Sequence, residues 1–178
     1  MYPKALSPTR LRILLSRANA PLTVYAHCDI PCGIYDPHEA QISALTAWRM
    51  CQLIQELPKP SAGAKPEESE AYQAKLARYM LVKEQHCERV KSELRILWGD
   101  YFTPDHAKTF PNLHEMFWKA MKQASKARQG TSAAEAQELL GQVHQIAETF
   151  WKSKGAVPKK FPSMQKPGGE IVYPTPSA

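Results

Sequence analysis

Between Asp36 and Trp151 the apolar residues recur at helical spacing in four long stretches, each closed by proline or glycine, and this constrains the fold more than any other feature. The first stretch opens on Asp36-Pro37-His38-Glu39, where an Asx cap, a proline at the first helical position and a glutamate three residues after the cap agree. Ile42, Leu45, Met50, Leu53, Ile54 and Leu57 follow until Pro58 stops the pattern, which predicts a helix near 36–57. Pro58, Pro60, Gly63 and Pro66 mark a connection over 58–67. A longer pattern carries Tyr72, Leu76, Tyr79, Met80, Val90, Leu94, Leu97 and Trp98 and ends at Gly99. A third helix opens near Pro111 with Leu113, Phe117, Met121 and Ala124. A fourth opens at Ser132-Ala133-Ala134-Glu135 with Leu139, Leu140, Val143, Ile146, Phe150 and Trp151. Four amphipathic helices with turn signals between them predict an all-α chain, an antiparallel up-and-down four-helix bundle whose aromatic stripes are core.

Ahead of the bundle, residues 27–35 read His-Cys-Asp-Ile-Pro-Cys-Gly-Ile-Tyr, a hook dense in metal-binding atoms. If the peptide bond before His27 is cut, an amine, an imidazole, the Cys28 amide and two thiolates lie within six residues. A metal held by the new amine and the Cys28 amide closes a five-membered ring, and the Cys28 amide with its own sulfur closes a second. These fused rings force three donors into a plane. Cys32 supplies the fourth corner, because Pro31 fixes its own φ and restricts Ile30 while Gly33 permits a sharp reversal. A square-planar N2S2 set selects Ni(II) or Cu(II) over zinc, which prefers tetrahedral closure. The His27 imidazole is left above the plane as an optional axial donor.

The hook with Asp36 and Pro37 resembles the N-terminus of nickel superoxide dismutases, which carry His-Cys-Asp-x-Pro-Cys-Gly-x-Tyr directly after a removed pro-segment. Val82-Lys83-Glu84-Gln85, Leu97-Trp98-Gly99-Asp100-Tyr101-Phe102 and Phe110-Pro111-Asn112-Leu113-His114 are similar to the same family, and the resemblance covers about residues 27–151. It implies one nickel ion per subunit, held by His27, Cys28 and Cys32 and cycling between Ni(II) and Ni(III) to disproportionate superoxide into dioxygen and hydrogen peroxide. It also implies a homohexamer and a protease that cuts before His27. Tyr35 would crowd the open axial face and order water there, Tyr101 would support it through its phenol, and Asp29, by itself a turn residue, would shape substrate access. Two positions depart from the better-known members, which have a glutamate where this chain has Ser43 and an arginine where it has His86, both supporting the axial imidazole. A non-catalytic nickel or copper chaperone or sensor using the same hook is the alternative. A helical module with structural zinc would need two further ligands near the hook.

The formal charge of +6 does not indicate nucleic acid. Lys4, Arg10, Arg12 and Arg17 stand in an acid-free N-terminal stretch, and five lysines face only Glu170 after residue 151, which leaves 14 of the 23 basic and 16 of the 17 acidic residues interleaved between them. Cys51 and Cys87 fall in helical patterns and read as buried thiols, while His106 and His114 read as interhelical hydrogen-bonding groups. No run approaches the length of a membrane span. Residues 1–26 read as a removed pro-segment or targeting segment, 27–151 as the dismutase domain and 152–178 as a Pro/Lys-rich tail, disordered or partly docked around Ile171-Val172-Tyr173. Reduced thiols fit the cytoplasm; a plastid or other organelle, reached through residues 1–26, is the alternative.

Overall fold

A computed structural model describes residues 32–175. Helix α1 spans His38–Glu56, and the Asp36 carboxylate accepts the His38 N–H at 2.7 Å just outside its first turn. Helix α2 spans Pro66–Ile96 with Glu67 and Glu68 in the first turn, where the helix dipole favours acids. It runs on into a π-helical turn, Leu97–Tyr101, closed by the Phe102 N–H to Leu97 O at 3.0 Å. A short helix, α3, covers Pro104–Thr109, with Thr103 and His106 forming a reciprocal capping box. Helices α4 (Leu113–Gln129) and α5 (Ala133–Ser153) complete the bundle, α5 starting at Ser132, whose side chain accepts the Glu135 N–H.

The neighbours are antiparallel. Trp98, just past α2, donates to His114 Nδ1 at the start of α4 (2.8 Å), whereas Glu88, ten residues earlier, pairs with Arg128 at the end of α4 (2.8 Å). Gln55 at the end of α1 reaches Thr131 O just before α5. Between the helices lies one core in which Val90, Leu94, Phe117, Leu139, Val143, Ile146 and Phe150 are fully buried, each worth about 1.5–3 kcal/mol of apolar transfer. Small residues, Ala40, Ala44, Ala47 and Cys51, line the buried face of α1. Lys83 on α2 is also fully buried. Its ammonium donates to Ala127 O (3.0 Å), Arg128 O and Gly130 O (2.5 Å), the carbonyls that the end of α4 leaves unsatisfied.

The tail differs from the disordered segment expected of its composition. Strands β1 (Val157–Pro162) and β2 (Glu170–Thr175) pair as an antiparallel hairpin, with Phe161 opposite Ile171 and Lys159 opposite Tyr173. Ile171 and Val172 are buried and the hairpin packs on α5 and α1, so the expected docking around 171–173 is present and more extensive. The physical reason lies in how edges are protected: Pro158, Pro162, Lys159 and Lys160 on the outer strand are the residues that keep an open edge from pairing further. Gly169 at the turn has φ +77°, and a Cβ there would lie 2.9 Å from the Trp48 ring, so both conformation and space demand glycine. No helix among the described residues is long and apolar enough to cross a membrane.

Candidate metal centre and its aromatic support

Of the expected nickel ligands only Cys32 is described, and it is exposed; His27, Cys28 and Asp29, like the expected cleavage point before His27, lie outside the described residues. From Gly33 onward the chain passes through Tyr35 and the buried Pro37 into α1. Gly33 has φ +74°, the left-handed conformation anticipated for a reversal after Cys32.

Tyr35 is half-buried and rests on Tyr101, ring centroids 5.5 Å apart and tilted by 56°. The two are far apart in sequence and only the family resemblance pointed to their meeting; the π-helical turn makes it, because it carries Tyr101 at its end and turns the chain toward α3. Tyr101 in turn packs on Phe102 (4.9 Å), His106 (5.5 Å) and Phe150 (4.6 Å), and the Lys154 ammonium stands 5.3 Å from its ring centre. Its hydroxyl bonds to Ser153 Oγ at 2.7 Å. Ser153 donates its single proton to Phe150 O at 2.7 Å, so the Tyr101 hydroxyl is the donor of the pair. Tyr101 therefore meets Tyr35 ring against ring, whereas support through the phenol was expected. Ser153 and Phe150 belong to this group without any local signal, since only the folded bundle brings them to Tyr101.

Ser43 and His86 are the other two positions of interest. Both carry a buried polar atom, Ser43 Oγ and His86 Nδ1, without a hydrogen-bond partner among the described residues. Glu39 and Arg89 pair across α1 and α2 at 2.9 Å. Ser43 is one turn further along α1 and His86 about one turn back along α2, so in an antiparallel pair the two orphaned atoms share one level of the interface. Burial holds the His86 imidazole below its ordinary pKa, Arg89 adds to the effect, and Glu39 opposes it. Unpartnered buried groups of this kind are costly unless something fills the gap.

The other histidines divide. His114 links two helical segments through Trp98 as expected, whereas His106 caps its own short helix, its Nδ1 accepting the Thr103 N–H at 3.1 Å, and stacks on Tyr101. Thr103-Pro104 was the unused signal for that helix, a capping residue followed by proline at the first helical position. Cys51 and Cys87 are buried as expected. Among the described residues no group of three or more histidine, cysteine or acidic side chains is placed to hold a metal.

A model of the family "nickel-containing superoxide dismutase" matches residues 22–154. The chain is 36% identical over 153 residues to the superoxide dismutase [Ni] of Streptomyces seoulensis, a match that takes in 80% of this chain and all of that protein. The Streptomyces coelicolor enzyme is 35% identical over 144 residues with the same coverage. The fold superposes on a native nickel superoxide dismutase structure with a TM-score of 0.62 at 32% identity, over 72% of this chain and 99% of that one. Helical bundle, hook sequence and relatives agree, and the chain belongs to the nickel-containing superoxide dismutase family.

Proposed function

We propose that the chain, cut before His27, is the subunit of a nickel superoxide dismutase, with one nickel ion held by the His27 amine and imidazole, the Cys28 amide and the Cys28 and Cys32 thiolates. The observation that carries this reading is that the family match runs across residues 22–154 and so includes the whole hook. The donor set suits nickel, because anionic amide and thiolate donors bring the Ni(III)/Ni(II) couple into the range of superoxide, where aquated Ni(II) is too hard to oxidise. Bound nickel supplies a one-electron couple that takes an electron from one superoxide and returns it to the next, giving O2 and H2O2 from two superoxide ions and two protons.

The chain's own residues bind, orient and exclude. Ser43 Oγ and His86 Nδ1, both buried and without a hydrogen-bond partner among the described residues, would be able to hydrogen-bond a metal-holding imidazole. Tyr35, whose ring rests on Tyr101, would on this reading narrow access to the metal and order the water that delivers protons. Asp29 shapes the same approach. A homohexamer is the assembly this reading carries, and exposed Leu81 and Trp118 are large apolar side chains that such packing would cover.

The test joins intact mass, nickel content and superoxide turnover on protein from its native host. Mature protein should begin at His27, and Cys28→Ser or Cys32→Ser should abolish nickel-dependent turnover while leaving helicity intact. Active, nickel-loaded protein that still carries residues 1–26 would sink the processing step. Turnover retained in either serine variant would refute the ligand set.

A further inference from the structure

The hairpin begins at Val157, beyond the residues that match the family, and its inner strand is tied to the start of α1. Gln41, fully buried, donates from Nε2 to Val172 O at 3.1 Å and accepts the Val172 N–H at Oε1 at 2.7 Å. Its amide thus occupies the free edge of β2 as a neighbouring strand would. The next residue, Tyr173, stacks on His38 with centroids 5.7 Å apart and interplanar angle 23°, its hydroxyl 3.0 Å from His38 Nδ1. His38 is the first residue of α1 and follows Tyr35 by three positions.

The strand that makes these contacts is itself anchored. Val172 and Ile171 are buried, His144 on α5 donates from Nε2 to Glu170 O at 3.0 Å, and Gly169 lies under Trp48. The other cross-helix tie at the start of α1, Glu39 with Arg89, is solvent-exposed, and exposed pairs contribute little.

We propose that the hairpin is a strap that fixes the first turns of α1, with Gln41 and Tyr173 as positioning residues for Tyr35. This rests on the nickel superoxide dismutase reading. Tyr35 has one side set by Tyr101 and its chain direction set by the helix it leads into, so a loosened first turn would let the tyrosine wander relative to Tyr101.

Backbone hydrogen exchange on the nickel-free full chain tests the strap, read at residues 33–45 with α4 as the internal control. Tyr173→Phe keeps the ring stack and removes one hydroxyl, so exchange at 33–45 should quicken about 2- to 10-fold, the range of a single hydrogen bond. Gln41→Met keeps the volume but strips two bonds from Val172, and about 10- to 100-fold is expected. Exchange in α4 should stay unchanged. Rates at 33–45 equal to wild type in these variants overturn the strap; should Gln41→Met fail to fold, Tyr173→Phe decides alone. Positioning is then read on nickel-loaded protein at matched metal content, where both variants should lower kcat/KM for superoxide and alter the EPR spectrum of the oxidised form. Faster exchange with a wild-type spectrum and wild-type kcat/KM overturns the positioning role. A wild-type protein that loads no nickel or shows no turnover defeats the functional reading instead, and the exchange result separates that failure from a failure of the strap.

Discussion

Replacing Tyr101 with phenylalanine and, separately, with leucine separates the two ways in which it could support Tyr35. Phenylalanine removes only the hydrogen bond to Ser153 Oγ, whose own proton stays on Phe150 O. That costs about 0.5–1.5 kcal/mol, because Ser153 loses a donor to an oxygen that is already satisfied on its other side. Leucine removes the ring contacts to Tyr35, Phe102, His106 and Phe150, each worth about 0.5–1.5 kcal/mol beyond area burial, for a total of about 2–6 kcal/mol. The catalytic consequence should follow the ring. In nickel-loaded protein, Tyr101→Phe should keep kcat/KM within about twofold, whereas Tyr101→Leu should lose about 10- to 100-fold, the usual cost of removing a supporting residue around a metal. Pulse radiolysis gives the rates, and thermal unfolding of the same samples gives the stabilities. A phenylalanine variant as slow as the leucine variant would show that the phenol, and not the ring, carries the support.

Two further outcomes concern the described fold alone. Lys83→Met removes the side-chain donor that, among the described residues, serves Ala127 O, Arg128 O and Gly130 O, and calorimetry should show a loss of about 3 kcal/mol or more, roughly 6–12 °C in Tm for a domain of this size; a shift below about 2 °C contradicts the capping role. Burial holds His86 and His144 below the ordinary imidazole pKa of 6.5, so their neutral forms stabilise the fold above that pH and the contribution is lost as pH falls below it. Tm should therefore drop on acidification from pH 6.5, and His144→Gln, which keeps a donor for Glu170 O, should flatten the slope; an unchanged slope means His144 does not govern acid stability.

The helices were legible because their signals are local. The expected 36–57 helix is His38–Glu56, and Ser132 opens α5 as its capping pattern indicates. What escaped was set by partners remote in sequence. The hairpin is held by Gln41 and His144, 131 and 26 residues from the strand groups they bind, and without those partners its prolines and lysines look like the composition of a disordered tail. The π-helical turn left no mark beyond Gly99, yet it decides where Tyr101 stands. At the candidate centre only Cys32 falls among the described residues, so the donor set argued from covalent spacing stands as the proposal made above. The meeting of Tyr35 with Tyr101 was expected, but the manner of it was not, because Ser153 competes for the phenol only once α5 is packed.

The burial of Cys51 and Cys87 bears on how such a protein ages. A dismutase releases one hydrogen peroxide for every two superoxide ions, and peroxide attacks cysteine as the thiolate. Desolvation raises the Cys51 thiol and pushes Cys87 up to about 11, with Lys83 only partly opposing it. At neutral pH the Cys87 thiolate is then on the order of one molecule in ten thousand. Cys32, by contrast, is exposed. Oxidative wear should therefore begin at Cys32 rather than at the buried thiols; on the ligand set proposed above, an exhausted molecule would be metal-poor and native in shape rather than unfolded.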